Sequence, residues 1–262
     1  MNYETLDFSA EGPVAVVRLN RPERYNALNA QMAKELLDVT VRIAHDSAYR
    51  ALMITGTGKA FCSGGDVKGF VEAGDAVPEL AERMTVDLHA FVSKLVRLGI
   101  PVLGAVNGPA AGAGFSLAMA CDLIVASSDA FFTMAYTRIG ASPDGSSTFT
   151  VPRLLGMRRA LELAITNRVL SPEEALEWGL INRVVPAENF EQEALAFAQE
   201  LAAGPTFAYG KVKELMYHSL NQNLESQMEL ETRAIVAAAR SKDFREGTRA
   251  FVEKRKPTFQ GT

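Results

Sequence analysis

The stretch PVLGAVNGPAAGAGFSLAMACD, Pro101–Asp122, decides the fold class of this chain. It overlaps an uncharged run of 24 residues, Leu98–Cys121, which is long enough for a membrane-spanning helix. Pro101, Asn107, Pro109 and several glycines interrupt the run, and a lipid-exposed helix tolerates such breaks poorly. A buried strand, a tight turn and a buried helix accommodate them, so the stretch predicts a strand–turn–helix unit of an α/β core.

Apolar runs and helical periodicity predict further short elements on both sides of this unit. The predicted strands are Pro13–Asn20, Ala51–Gly58, Pro101–Gly108, Asp122–Ser127 and Ala130–Tyr136. The predicted helices are Asn29–His45, Leu80–Leu98, Ala113–Ala120, a helix that opens with the cap in Ser171–Trp178, and a helical tail over Thr206–Phe251. Strands and helices alternate until about Pro205, which predicts an α/β layout with mostly buried strands, followed by helices that pack on the core or on another subunit.

The composition is that of an ordinary globular protein. The 262 residues are 48% hydrophobic and 22% charged, and the net charge is −4, which gives no electrostatic footprint for nucleic acid. Cys62 and Cys121 lack the spacing of metal ligands and are interpreted as reduced, buried thiols. The start MNYETLDFSAEGP has early acids and no apolar segment, so we expect a cytoplasmic protein without a membrane partner.

Two glycine-rich stretches each follow a predicted strand and open a predicted helix, at Gly58–Phe70 and Asn107–Asp122. Neither has the dinucleotide fingerprint or the lysine–serine ending of a phosphate loop. Both present backbone N–H groups, and a helix that begins near Ala113 directs its unpaired amides toward the turn. Two such amides can share one oxyanion, but glycine can equally serve close packing, and spacing alone leaves both interpretations open.

Five motifs together resemble the enoyl-CoA hydratase/isomerase (crotonase) family: AFCSGGD, PVLGAVNGPAAGAGFSLAMACD, GASPDGSSTFTVPRLLG, SPEEALEWGLINRVV and FVEKRKPTF. The resemblance covers nearly the whole chain. It implies a spiral of repeated strand–strand–helix turns over residues 1–204, which bind an acyl-CoA. It also implies a helical region over residues 205–262 that makes trimer contacts and closes over CoA. The expected assembly is a homotrimer or a dimer of trimers.

The resemblance further implies an acyl-CoA thioester substrate whose carbonyl oxygen is held by the amides of Cys62 and Ala113. The family more often has glycine at the latter position, but alanine keeps the N–H. Positions that match CoA-binding or substrate-binding residues of the family are Arg24, Ala60, Ser63, Gly64, Asp66, Val67, Ser116, Tyr136 and Lys254. No metal and no permanently bound cofactor are expected, because coenzyme A arrives as part of the substrate.

The acids of this family select its reaction. Hydratases carry two glutamates, at positions that match Ser116 and Tyr136 here, and neither hydroxyl can replace a carboxylate pair that activates water. Asp144 matches the single essential acid of family isomerases. We therefore predict isomerisation of an unsaturated acyl-CoA, with Asp144 as the acid and base. The alternative structural role for Asp144 is to accept amide hydrogen bonds within its own turn.

Two other functions remain open. The chain also resembles 4-chlorobenzoyl-CoA dehalogenase, in which an aspartate at the Asp144 position attacks the ring and a histidine at the His89 position activates water. Leu88 and Tyr136 depart from the aromatic residues of that enzyme, and His89 can equally be a packed structural histidine, so dehalogenase or acyl-CoA hydrolase chemistry ranks second. A non-catalytic scaffold ranks third, because the segment KELMYHSLNQNLE forms no basic stripe for RNA.

Overall fold

Eight strands and eleven α-helices form within residues 2–262, the part of the chain that the computed structural model describes. The strands are β1 (Leu6–Glu11), β2 (Val14–Leu19), β3 (Ala51–Gly56), β4 (Val102–Val106), β5 (Ala110–Ala111), β6 (Leu123–Ser127), β7 (Phe132–Thr133) and β8 (Arg183–Val185). The helices are α1 (Ala30–His45), α2 (Val67–Ala73), α3 (Val77–Val96), α4 (Ala113–Met119), α5 (Ser147–Leu155), α6 (Met157–Thr166), α7 (Pro172–Glu177), α8 (Phe190–Ala203), α9 (Thr206–Ser219), α10 (Leu224–Ala239) and α11 (Lys242–Glu253).

A six-stranded sheet in the order β1-β2-β3-β4-β6-β8 forms the centre, and every pair except β1–β2 is parallel. Parallel neighbours require crossover connections, which the helices supply. A second small sheet pairs β5 with β7. Single bridges join Leu28 to Gly65, Cys62 to Ala110 and Phe132 to Leu170. Successive turns of chain thus contribute a strand to the large sheet, a short pairing segment and a helix, as the strand–strand–helix prediction requires.

Both faces of the large sheet are buried, which explains why its strands are continuous apolar runs rather than alternating ones. All six residues of β3 are buried. On one face the side chains pack against α1 and α3, through residues such as Leu36 and Phe91. On the other face Val16, Met53 and their neighbours pack against α8. Because both faces of the sheet are covered, a ligand can reach the sheet only at the strand ends and the loops that follow them.

The predicted strand Ala130–Tyr136 is wrong except for two residues, Phe132–Thr133. Ala135 has a φ of 52°, which ends the extended run and starts a 3-10 turn at Tyr136–Ile139. This reversal brings the Tyr136 side chain inward, where it is buried. Apolar residues alone could not predict the reversal, because nothing in their pattern requires a left-handed alanine.

The helical tail is three helices rather than one. Asn223 and Ser241 interrupt it, and their side chains accept hydrogen bonds from Ser226 N at 2.8 Å and Phe244 N at 3.0 Å, which caps α10 and α11. The cap predicted at Ser171 is confirmed, since its side chain and that of Glu174 exchange hydrogen bonds with each other's amides. No helix within residues 2–262 has the length and hydropathy needed to cross a membrane.

A mostly buried ion pair anchors α9 to the amino ends of β4 and β6. Lys213 Nζ lies 2.7 Å from Asp122 Oδ2 and donates to Ile100 O at 3.1 Å. Asp122 Oδ2 also accepts from Val102 N at 2.7 Å. The first of the C-terminal helices therefore packs at the opposite end of the sheet from the loops that follow β3 and β4.

Replacing Lys213 by methionine is expected to lower the free energy of unfolding by roughly 3–5 kcal/mol, because Asp122 loses its cation in a mostly buried position. Burial already raises the pKa of Asp122, and loss of Lys213 removes the charge that lowers it. Since the folded-state pKa then lies above the unfolded one, protonation favours the folded state, and the deficit shrinks as the pH falls. Urea unfolding of the variant and of wild type at acidic and at alkaline pH measures this difference in the free energy of unfolding.

The matched control is Lys211→Met, which breaks the more exposed pair between Lys211 and Glu214 and should cost less than about 1 kcal/mol. The double variant Asp122→Asn with Lys213→Met should recover most of the lost stability, because no unpaired charge remains. A deficit that grows as the pH falls would contradict the role of the Asp122 charge.

Candidate active site

The loops after β3 and β4 lie in backbone contact at the carboxyl ends of these strands. A Cβ on Gly108 would stand 2.2 Å from Lys59 O, and one on Gly114 would stand 2.1 Å from Cys62 O. Both distances exclude a side chain, so close packing explains these two glycines. The same packing brings the amides of the two glycine-rich stretches together, so the two interpretations of the glycines do not exclude each other.

The Cys62 amide, predicted as an oxyanion donor, is already engaged. Cys62 N donates to Pro109 O at 3.1 Å, and Cys62 O accepts from Ala111 N at 3.0 Å. The cause is the parallel bridge between Cys62 and Ala110, because a residue in this position directs both its N–H and its C=O at the partner strand. The structure therefore contradicts the choice of Cys62.

The amide of Gly65 is oriented differently. The bridge from Gly65 to Leu28 uses its neighbours: Leu28 N donates to Gly64 O at 2.7 Å, and Asp66 N donates to Leu28 O at 2.9 Å. The Gly65 N–H thus points away from Leu28, and it donates no hydrogen bond within residues 2–262. Sequence reasoning missed Gly65, although the doubled glycine in SGGD was a signal of an amide without a shielding side chain.

Ala113 is the first residue of α4, and Gly112 before it provides no side-chain cap. The Ala113 amide donates no hydrogen bond within residues 2–262, as expected for the first turn of a helix. The two loops meet here, because a Cβ on Gly112 would stand 3.3 Å from Gly64 Cα. Gly65 and Ala113 directly follow the two glycines in contact, so we take their amides as the candidate oxyanion pair.

Asp144 belongs to a hydrogen-bonded cluster that joins three elements. Tyr136 Oη donates to Asp144 Oδ1 at 2.6 Å, and Ser116 Oγ lies 2.7 Å from Tyr136 Oη. The turn around Asp144 uses a different atom, since Ser147 N and Ser147 Oγ donate to Asp144 O at 3.2 and 2.9 Å. The carboxylate is thus held by a side chain from outside the turn rather than by amides of the turn, which excludes the purely local role.

Tyr136 is suited to be a hydrogen-bond donor in this cluster. Burial, followed by the charge of Asp144 and the hydrogen bond to it, raises the pKa of the Tyr136 phenol far above its ordinary value. The phenol therefore stays protonated over the whole range in which enzymes commonly work. Tyr136 and Ser116 are buried, whereas Asp144 is half-buried and keeps access to a ligand.

His89 is an exposed residue of α3 whose ring reaches the residue after the acid. His89 Nε2 accepts a hydrogen bond from Gly145 N at 3.3 Å. An accepting Nε2 assigns the proton of a neutral imidazole to Nδ1. The structure thus brings His89 next to Asp144, and the ring holds the backbone of the Asp144 turn.

A sequence-family model described as enoyl-CoA hydratase/isomerase matches residues 9–262. The chain belongs to the enoyl-CoA hydratase/isomerase family. This confirms the family that the five motifs predict. A crystal structure of an enoyl-CoA hydratase from Polaromonas sp. JS666 superposes with a TM-score of 0.93 at 32% identity, over 97% of this chain and 99% of that one. The predicted crotonase fold is thereby confirmed.

Three curated relatives carry names of three different reactions. A probable enoyl-CoA hydratase of Rhodobacter capsulatus is 40% identical over 100% of both chains. The 1,2-epoxyphenylacetyl-CoA isomerase of Escherichia coli K12 is 38% identical over 96% of each chain. The 4-chlorobenzoyl coenzyme A dehalogenase-2 of an Arthrobacter species is 37% identical over 92% of this chain and 88% of the relative. Membership of the enoyl-CoA hydratase/isomerase family therefore establishes CoA thioester chemistry. It does not identify the reaction, which depends on the residues of the site.

Most residues predicted to bind CoA lie in or beside the loop after β3. Ser63 Oγ donates to Arg24 O at 3.5 Å, and Ala60 O accepts from Asn26 Nδ2 at 2.8 Å. Gly64, Asp66 and Val67 continue the same loop into α2. Asp66 also caps α2 and pairs with Arg21 at 2.9 Å, so its side chain has a structural role whether or not its backbone contacts a ligand.

Lys254 is not joined to that loop by any hydrogen bond or ion pair within residues 2–262. It directly follows α11 as its C-cap residue. The tail after it reaches Arg50, whose Nη1 donates to Phe259 O at 3.1 Å. Arg50 lies at the amino end of β3, one strand length from Gly56 and the candidate site. Within residues 2–262 no three His, Cys, Asp or Glu side chains are grouped to hold a metal ion.

Proposed function

We propose that this protein isomerises the double bond of an unsaturated acyl-CoA thioester, with Asp144 as the acid and base. One observation carries the proposal. The two positions that match the glutamates of hydratases, Ser116 and Tyr136, are bonded to each other and to Asp144. They therefore serve the aspartate rather than activating water, and Asp144 is the carboxylate that this cluster supports.

The reaction needs two groups beyond the substrate. The amides of Gly65 and Ala113 stabilise the thioester oxygen as it accepts charge, with the positive end of α4 behind Ala113. Asp144 removes a proton from one carbon of the acyl chain and returns it to another carbon, while the amides hold the dienolate between the two steps. No water molecule is consumed, in contrast to hydration.

A second candidate function is displacement or hydrolysis with Asp144 as the nucleophile and His89 as the base. The position of His89 supports it, because the ring contacts the residue after Asp144. The hydrogen bond itself opposes it, because the Nε2 lone pair that a base would use is occupied by the amide of Gly145.

A panel of 2-enoyl, 3-enoyl and 4-chlorobenzoyl CoA esters distinguishes the functions. We expect interconversion of 2-enoyl and 3-enoyl esters; halide release supports the second function, and rapid hydration would refute the role given to Ser116 and Tyr136.

Self-association is part of the proposal. Several apolar side chains of α9–α11 are exposed in the single chain: Val212, Met216, Leu224, Ile235, Phe251 and Val252. We expect a homotrimer or a dimer of trimers to cover these residues. In such an assembly Lys254 of one copy is expected to approach the CoA bound by another copy. Sedimentation of the preparation used for the panel gives its mass, and a monomer at working concentration would exclude this part of the proposal.

Arg24→Ala is expected to raise KM for acyl-CoA esters roughly tenfold and to leave kcat nearly unchanged, because a phosphate contact binds substrate and transition state equally. Arg24 is half-buried beside Ser63, at the loop assigned to CoA. The matched control is the N-acetylcysteamine thioester of the same acyl group, which lacks the nucleotide. An equal rise in KM for both thioesters would show that Arg24 affects the fold of the loop instead.

A further inference from the structure

The hydrogen bonds between Ser116, Tyr136 and Asp144 have one allowed direction. A tyrosine hydroxyl has one proton, and Tyr136 donates it to Asp144 Oδ1 at 2.6 Å. The contact of 2.7 Å between Ser116 Oγ and Tyr136 Oη must then use the serine proton, because the other acceptor within reach of that proton, Gly112 O, lies farther away at 3.5 Å. The chain therefore runs from Ser116 through Tyr136 to Oδ1 of the carboxylate, and Oδ2 is left outside it.

The two donors of this chain are rigidly placed. Ser116 lies in α4, in which every residue is buried. Tyr136 starts a 3-10 turn directly after a left-handed alanine, and its side chain is 9% exposed. Asp144, by contrast, lies in a half-buried turn with no regular structure. Two buried donors from regular elements thus act on the carboxylate of a residue outside regular structure, whose backbone is held by Ser147 and His89 but whose side chain the turn itself does not hold.

We propose that Ser116 and Tyr136 are positioning residues, which anchor Oδ1 of Asp144 and leave Oδ2 as the oxygen that removes and returns the substrate proton. The inference rests on the isomerisation proposed above. In the first step a C–H bond of the acyl chain breaks and an Oδ2–H bond forms, while the electron pair moves toward the thioester oxygen. In the second step the Oδ2–H bond breaks and a C–H bond forms at another carbon, so protons and electrons balance.

Anchoring one oxygen has a kinetic effect without adding a contact to the substrate. A carboxylate held at Oδ1 cannot turn its plane freely, so Oδ2 stays directed at the acyl chain between the two proton transfers. Misplacing a reacting group by about 1 Å can cost on the order of 10²-fold in rate. The anchor is therefore expected to change kcat and to leave substrate binding nearly unaffected.

A double-mutant cycle tests the proposal. Tyr136→Phe is expected to lower kcat by roughly 10- to 100-fold with KM within about twofold of wild type. Ser116→Ala should lower kcat less, because Tyr136 can still donate to Asp144. The double variant should equal Tyr136→Phe alone, because Ser116 acts only through the tyrosine. In D2O, Tyr136→Phe should also increase deuterium in the product, since a turning carboxylate exchanges its proton with solvent.

The matched control is Tyr217→Phe, which removes a phenol of α9 that interacts with Asp122 and is not part of the hydrogen-bonded cluster, and it should leave kcat and deuterium content unchanged. Additive losses from the two cluster variants, or a Tyr136→Phe enzyme with wild-type kcat and wild-type deuterium content, would overturn the inference. Failure of the proposed function looks different, because wild type itself would then not isomerise any ester of the panel.

Discussion

Asp144→Asn is expected to lower kcat for double-bond isomerisation by about 10³-fold or more, within the range that a single acid–base group contributes. Asparagine has the volume of aspartate, and its carbonyl oxygen can still accept the hydrogen bond from Tyr136. The cluster with Ser116 should therefore keep its geometry. The variant loses the ability to carry a proton, so chemistry should fail while KM and the unfolding midpoint change little.

Steady-state kinetics on the 3-enoyl ester and thermal unfolding measure these two effects. Asp129→Asn is the matched control, because Asp129 is an exposed acid on the loop after β6, outside the cluster. It should have wild-type kinetics. Isomerisation by the Asp144→Asn variant at more than about a tenth of the wild-type rate would disprove the assignment of Asp144 as the acid and base.

Ala113→Pro is expected to lower kcat/KM by about 10²- to 10³-fold, the usual cost of one lost oxyanion donor. Proline removes the N–H of residue 113 and adds no other polar group. Ala113 is the first residue of α4, a position at which helices tolerate proline, because its N–H has no partner within the helix. Gly112 before it has no Cβ to clash with the proline ring.

Ala113→Gly is the control, because glycine keeps the N–H and is the residue the family more often has at this position. It should retain wild-type kcat/KM within about threefold, a difference of less than 1 kcal/mol. The unfolding midpoint of Ala113→Pro shows whether α4 is intact. A folded Ala113→Pro enzyme with wild-type activity would show that the thioester oxygen is not bound at this helix end.

Much of the layout was predictable from local pattern. The apolar run that became β3 and the stripe of α3 predicted a buried strand and a helix, and the SPEEA cap predicted the start of α7. These features depend on burial and on capping within a few residues, so a single stretch of sequence contains the whole cause. The position of Asp144 came from the family resemblance, and the structure then placed that residue in a polar cluster.

The sequence pattern alone could not identify the two backbone amides that are proposed as oxyanion donors. Cys62 and Gly65 lie three residues apart in one loop, and both have backbone amides. Which amide is free depends on the bridge partner of each, Ala110 for Cys62 and Leu28 for Gly65. Because hydrogen bonds alternate in direction along an extended segment, a shift of register by one residue exchanges engaged and free amides. The choice therefore depended on contacts with distant strands.

By itself, the sequence determined an α/β chain with strands buried on both faces, helices that follow the strands and a helical tail, because these properties follow from hydrophobic periodicity and end caps. Only the tertiary structure decided that Ser116, Tyr136 and Asp144 share one hydrogen-bonded chain, and that Gly65 rather than Cys62 offers a free amide. The physical reason is that donor and acceptor directions are set by how separate elements pack, and residues from α4, a 3-10 turn and the turn before α5 meet only in the folded protein.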